Sequence, residues 1–250
     1  MLASFQDHTT QTAVLQALRD GLCEQPRRIR ALSLPDGRRL WLKRVEDLSL
    51  RLRLQKGAGR RGFENDRAGL RLMGAAGLPV APILAEGPDY LLTPDLGPTL
   101  WDLMKTRPTP EAERIAAFSA AGAALVKLHS AGFSHGRPKI RDICWDGKAA
   151  RLIDLERFSP RRSAPRHFAL DLVILVHSVY ALGGSPAIAE LDAALAAYRR
   201  EAPEATFDAV ARLVRWIGLV WRFLAPIAAL RPRSRELAAV ALTLAYFRAP

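Results

Sequence analysis

Residues 128–156 read LHSAGFSHGRPKIRDICWDGKAARLIDLE and constrain the fold more than any other stretch of the chain. A helix ending at Leu128-His129 meets a tight turn at Ala131-Gly132, where glycine tolerates the reversal. A loop follows through His135, Gly136 and Arg137, and Asp142 lies five residues beyond Arg137. A short apolar strand, a turn at Asp146-Gly147 and a second apolar strand then lead to Asp154. Carboxylates set directly beside apolar strand residues are what a Mg²⁺ site between two strands requires. Asp142 and Asp154 are therefore the candidate metal ligands. Each alone reads as a turn or capping aspartate; the common register of His135, Asp142 and Asp154 argues for more. Glu156 adds a carboxylate that either assists with metal or pairs with Arg157.

The rest of the chain supplies a context for that segment. Residues 11–22 fit a weak helix or the start of a strand. Residues 27–46 read as a β-hairpin, with Ile29, Leu32 and Leu34 before Pro35-Asp36-Gly37 and Leu40, Leu42 and Val45 after it. Residues 47–62 are rich in Arg, Lys and Gly and read as a basic loop or short helix. Helical spacing over 63–76 stops at Gly77-Leu78-Pro79. Short strands are expected at Val80–Leu84 and Tyr90–Thr93. Beyond residue 99 the pattern turns helical, over 111–129, 168–182, 186–200, 206–228 and 233–246. The expected class is α+β: a small β-rich lobe over 1–94, a hinge at 95–98 and a mostly helical lobe over 99–250, with any ligand in the cleft between them.

Composition narrows the function classes. The chain of 250 residues is 49% hydrophobic and 25% charged, as a folded protein should be. Its formal net charge of +12 favours an anionic partner: nucleic acid, anionic lipid or a phosphorylated glycan. The two cysteines, Cys23 and Cys144, have no metal-type spacing, and Cys144 in an apolar run reads as a small buried hydrophobe. A reducing compartment fits, and the N-terminal residues carry no secretory pattern, so a cytoplasmic location is expected. The apolar stretches 168–184 and 213–230 are interrupted by Asp171 and His177 and by Arg215 and Arg222. They read as buried or amphipathic helices, a reading compatible with peripheral contact at the inner membrane.

Phosphoryl transfer needs a lysine on the phosphates, a carboxylate to hold it and metal ligands. Lys43 alternates with apolar neighbours in Leu40-Trp41-Leu42-Lys43 and is placed to point into a cleft. Glu64, expected to open the next helix, is its candidate partner; a first-turn acid favouring the helix dipole is the plainer reading. His129 and His135 flank the turn and are expected to brace the loop through backbone hydrogen bonds. Asp171 sits in an otherwise apolar helix, where an unpaired carboxylate is costly, so it is expected to brace the loop backbone as well.

With these residues placed, the chain resembles the bacterial lipopolysaccharide kinases that act on inner-core heptose or Kdo, a branch of the protein-kinase-like superfamily. The resemblance spans roughly residues 25–180. It rests on RRIRALSLPDGRRLWLKR, the basic connector, FENDRAGLRLMGAAGLPVAPILAEG, the segment quoted first and RHFALDLVILVHS. It implies a two-lobed protein-kinase-like fold, ATP and Mg²⁺. Lys43 would be the phosphate lysine with Glu64 as its partner, and Asp142 and Asp154 the metal ligands. The backbone near Thr93, Asp95 and Leu96 would hold adenine, and Asp171 would brace the catalytic loop. Two departures stand out. No G-x-G-x-x-G precedes the hairpin. Arg137 occupies the position of the catalytic aspartate in H-[RG]-D-x-x-x-x-N. Arginine stays protonated and accepts no proton.

Three functions compete. The first is an ATP-dependent phosphotransferase acting on a lipopolysaccharide core sugar or related envelope acceptor, with impaired or atypical catalysis and Asp142 or Glu156 as substitute base. The second is a pseudokinase, a nucleotide-binding regulator or scaffold for a protein partner. The third, a nucleic-acid-binding protein, is disfavoured because no recognition motif, zinc spacing or RNA-binding aromatic signature accompanies the charge.

Overall fold

A computed structural model describes residues 8–45, 58–183, 187–229 and 234–249. It contains a small antiparallel sheet, a two-stranded ladder and a mostly helical remainder, and divides into two compact units. The first comprises Met1–Gly97 with Asp154–Arg157; the second comprises Pro98–Ile153 with Phe158–Pro250. Residues 154–157 thus belong with the N-terminal stretch rather than with 99–250. Most of the expected basic connector, 47–57, lies outside the described residues; 58–62 are helical.

In the first unit, α1 (His8–Cys23) settles the ambiguity over 11–22 in favour of helix. β1 (Ile29–Ser33) and β2 (Arg39–Arg44) form the hairpin. Gly37 adopts φ 83°, and the Asp36 carboxylate accepts from the Arg38 N–H at 2.9 Å, so the Asp-Gly pair closes the turn locally. β4 (Tyr90–Pro94) pairs with β2, and β3 (Ala85–Glu86) pairs with β4, giving the order β1-β2-β4-β3. The expected strand Val80–Leu84 does not form; ladder pairing begins at Ala85. Alternation along β2 decides which side chain faces where. Leu40 and Leu42 are buried with Leu32, Leu34 and Leu92 against Val14 and Leu18 of α1. Trp41 and Lys43 therefore occupy the opposite face. Helix α2 (Ala58–Ala75) starts earlier than 63 and buries Phe63, Asp66, Leu70 and Met73, one stripe at helical spacing.

In the second unit, α3 (Leu100–Lys105) starts at a reciprocal cap. The Thr99 N–H donates to the Asp102 carboxylate at 2.8 Å, and the Asp102 N–H donates to the Thr99 hydroxyl at 3.2 Å. α4 (Glu111–Ser130) packs against α6 (Ile188–Arg199). Gly122 makes that approach possible, since a Cβ there would overlap the Ala194 carbonyl. β5 (Ile143–Trp145) and β6 (Ala150–Leu152) form the expected strand pair, with the Asp146 carboxylate capping its turn. α5 (Pro165–Tyr180) packs against α7 (Thr206–Ala229) and α8 (Arg235–Arg248). Cys144 is buried as expected, and Cys23 is exposed. Among the described residues no helix is long and apolar enough to cross a membrane.

Candidate functional site

Within the first unit, the Trp41–Lys43 face of the sheet carries a cluster of charges. The Lys43 Nζ donates to Asp66 Oδ2 at 2.7 Å and to Asp154 Oδ1 at 2.8 Å, and lies 2.9 Å from Glu156 Oε1. Its side chain is 15% exposed and that of Asp66 only 3%. Asp66 also accepts the Leu155 N–H at 2.8 Å, and Asn65 donates to the Glu156 carbonyl at 3.0 Å. Helix α2 thereby grips the segment 154–156 from the side. Glu156 pairs with Arg28 as well, and Gly62 faces the Glu156 side chain closely enough that a Cβ would touch it.

Burial alone would depress the Lys43 ammonium, but the charges of Asp66 and Asp154 overcome it and hold the group above its ordinary value. Burial raises the Asp66 carboxyl, and Lys43 opposes that rise. Asp154 takes a left-handed backbone, φ 61°, uncommon for a residue with a side chain.

The lysine partner is Asp66, which corrects the assignment to Glu64. A helix advances about 100° per residue, so two positions along α2 point in nearly opposite directions. Glu64 lies off the buried stripe and pairs with Arg67 instead. It is not a first-turn acid either, because α2 begins at Ala58. Asp66 was readable from the same rule that singled out Asp171: a carboxylate on the apolar stripe of a helix must find a partner.

The residues near 93–96 serve the sheet. Thr93 lies opposite Trp41 in the ladder, hence on the Lys43 face. The Asp95 N–H donates to the Arg39 carbonyl at 3.0 Å, and its carboxylate pairs with Arg39 at 2.7 Å and accepts the Gly97 N–H at 3.1 Å. Asp95 lines a cavity of about 560 Å³ with Val14, Leu34, Leu40 and Pro94, on the α1 side of the sheet. Leu96 is half-buried.

Within the second unit, the loop after α4 is fixed by one buried carboxylate. Asp171 of α5 accepts the His135 N–H at 2.7 Å on Oδ2 and the Gly136 N–H at 3.0 Å on Oδ1. His129 reaches the same Oδ2 through Nε2 at 3.2 Å, meets the Tyr198 hydroxyl through Nδ1 at 2.6 Å and stacks on Phe168 at 4.5 Å. The His135 Nε2 lies 3.0 Å from the Ile153 carbonyl, and Nδ1 accepts the Arg137 N–H at 3.4 Å. That pattern selects the neutral Nε2–H tautomer, with the ring tying the loop to the end of β6. His135 thus braces the loop through backbone groups as expected, whereas His129 is held by the Asp171 and Tyr198 side chains rather than by backbone, and Asp171 holds the loop backbone. The loop presents Arg137, half-buried, then Asp142, whose N–H donates to the Lys139 carbonyl at 2.8 Å while its carboxylate accepts the Lys139 N–H at 3.2 Å. The Asp142 carbonyl in turn accepts the Ile153 N–H at 2.9 Å.

No family model matches the sequence. An uncharacterized protein of Haemophilus influenzae is 27% identical over 128 residues, which cover 51% of this chain and 53% of that protein. Among solved structures, WbdD with a kinase inhibitor is similar at TM-score 0.47 and 18% identity, over 72% of this chain and 45% of that one. Another structure of WbdD, described as a bifunctional kinase-methyltransferase, gives TM-score 0.45 and 15% identity over 74% and 47%. The chain spans about half the length of each of these proteins. A likeness of that size carries no functional argument.

Proposed function

We propose that the chain is a protein-kinase-like phosphotransferase that binds ATP with Mg²⁺ and phosphorylates a lipopolysaccharide core sugar or related anionic envelope acceptor. The observation that carries this reading is the clamp on Lys43, whose ammonium is held by Asp66 from a helix and by Asp154 from the LIDLE segment. Phosphoryl transfer depends on positioning and charge neutralisation more than on covalent chemistry. A lysine kept charged by two carboxylates and fixed on a strand face suits the first task. In this reading Asp66 takes the role expected of Glu64, and the backbone near Thr93, Asp95 and Leu96 borders the adenine. The loop braced by Asp171 orients the acceptor, and the basic run Arg157-Phe158-Ser159-Pro160-Arg161-Arg162 that follows Glu156 supplies cationic contacts to an anionic acceptor.

Asp142 and Asp154 would each offer a carboxylate to Mg²⁺, which when bound would offset the negative charge of the phosphates. The donor chemistry fits. Mg²⁺ takes one or two carboxylates along with water and phosphate oxygens rather than an all-protein cage. The Asp154 side chain is 27% exposed, with Oδ1 on the Lys43 ammonium.

Arg137 favours a second reading, a pseudokinase that binds nucleotide and regulates a partner. A guanidinium at the base position accepts no proton, and loss of a general base costs about 10²- to 10⁴-fold in rate. A thermal-shift titration with ATP, with and without Mg²⁺, tests the nucleotide site in both readings. Wild type should be stabilised more with Mg²⁺, and Asp154→Asn should lose the Mg²⁺-dependent part. No shift under either condition would refute the nucleotide site. Turnover by the purified protein that Lys43→Ala abolishes would exclude the pseudokinase.

A further inference from the structure

Helix α7 has two apolar faces, and among the described residues only one is packed. Ala209, Val210 and Val214 are buried, on a helix that packs against α5 and α8. On another face, Trp216, Leu219 and Phe223 recur at i, i+3 and i+7, the spacing of one stripe. They are 63%, 58% and 72% exposed. Three large side chains left in water on one stripe exceed the scattered apolar exposure of an ordinary surface. Arginines accompany them. Arg212 and Arg215 lie four residues before Trp216 and Leu219, and Arg222 lies three after Leu219. Arg248 of α8 crosses the helix at Gly218, where a Cβ would collide with its guanidinium. No ion pair among the described residues involves Arg212, Arg215, Arg222 or Arg248.

We infer that this face of α7 docks on an anionic lipid bilayer, with Trp216, Leu219 and Phe223 entering the headgroup–acyl boundary and the arginines engaging lipid phosphates. An amphipathic helix with Trp, Phe and Leu beside a basic flank lies in the membrane interface plane. The formal net charge of +12 adds attraction toward a negative surface. A second copy of the chain is a poorer occupant, because a two-fold contact would bring the arginine flank against itself and interface cores are depleted of charge. The inference does not depend on phosphotransfer, so a failure of ATP binding leaves it intact.

Vesicle flotation of the full chain tests it, using phosphatidylcholine alone and phosphatidylcholine mixed with phosphatidylglycerol. Wild type should float with the mixed vesicles, less so as salt rises, and weakly with phosphatidylcholine. The triple substitution Trp216→Ser, Leu219→Ser, Phe223→Ser should cut partitioning by at least about tenfold. The pair Arg215→Gln, Arg222→Gln should cut it by roughly twenty- to thirtyfold on mixed vesicles only. Since all five side chains lie at the surface, both variants should melt with wild type. Unchanged flotation of both variants, or no flotation of wild type, would overturn the inference. A lipid-free dimer in sedimentation velocity that the triple substitution dissociates would overturn it in favour of a second copy.

Discussion

Replacing Asp66 with Ala tests the clamp on Lys43 most directly. The substitution removes the 2.7 Å ion pair to Lys43 and the 2.8 Å acceptor of the Leu155 N–H together. A hydrogen bond to a charged group contributes about 1.5–3 kcal/mol, and a buried donor left unsatisfied costs about 1–3 kcal/mol. Breaking a buried ion pair outright costs about 3–5 kcal/mol. Lys43 keeps Asp154 and Glu156, which places the expected loss near the lower end, about 3–4 kcal/mol. Asp66→Asn retains one oxygen for the Leu155 N–H and should lose about 2 kcal/mol. Glu64→Ala is the control, since among the described residues Glu64 pairs with Arg67 three residues away and its loss should cost less than about 1 kcal/mol. For a chain of this length each kcal/mol moves the melting temperature by about 2–4 °C. Asp66→Ala should therefore melt roughly 6–16 °C below wild type. Equal losses for Asp66→Ala and Glu64→Ala, or a larger loss for Glu64→Ala, would refute the assignment of Asp66 as the lysine partner.

Three further outcomes are expected. Asp171→Asn should cost about 2–4 kcal/mol and should accelerate amide exchange at His135 and Gly136 more than in α6; unchanged exchange at those two amides would count against the brace. Gly122→Ala should destabilise by about 1–3 kcal/mol through the clash with the Ala194 carbonyl, even though alanine is the better helix former by about 1 kcal/mol, and a stabilised variant in urea unfolding would contradict the close approach. Lys43 is held above its ordinary value of 10.5 in the folded chain. The native state therefore binds its proton more tightly than the unfolded state. The stability that Lys43 contributes is full below 10.5 and is lost as pH rises toward the higher folded value, so the advantage of wild type over Lys43→Met should shrink in alkaline urea titrations; an advantage that grows with pH would contradict the sign.

What the sequence made legible follows from how local each cause is. The hairpin was readable because Asp36-Gly37 enforces its own turn, and the period of two then set Lys43 on the face opposite Leu40 and Leu42. Asp171 was readable because burying a carboxylate without donors is too costly to occur, whatever the fold. The same cost applies to Asp66 on the stripe of Phe63, Leu70 and Met73, but helical spacing that starts at 63 places Glu64 in a first turn, and the true start at Ala58 lies in a basic stretch without apolar period. The two-residue strand Ala85–Glu86 carries no alternation to read; it is a strand only because β4 offers it a ladder. Least local is the attachment of Asp154–Arg157 to the first unit, which rests on Asp66 and Asn65, about ninety positions away, and on Lys43 and Arg28, farther still. No periodicity encodes such a bond. Arg137 belongs to the opposite extreme. Its inability to take a proton follows from the guanidinium itself and needs no neighbour. In the phosphotransferase reading any base would have to be a carboxylate elsewhere, yet Glu156 is engaged by Lys43 and the Asp142 carboxylate accepts the Lys139 N–H, so the demand that Arg137 creates falls on groups already held in place.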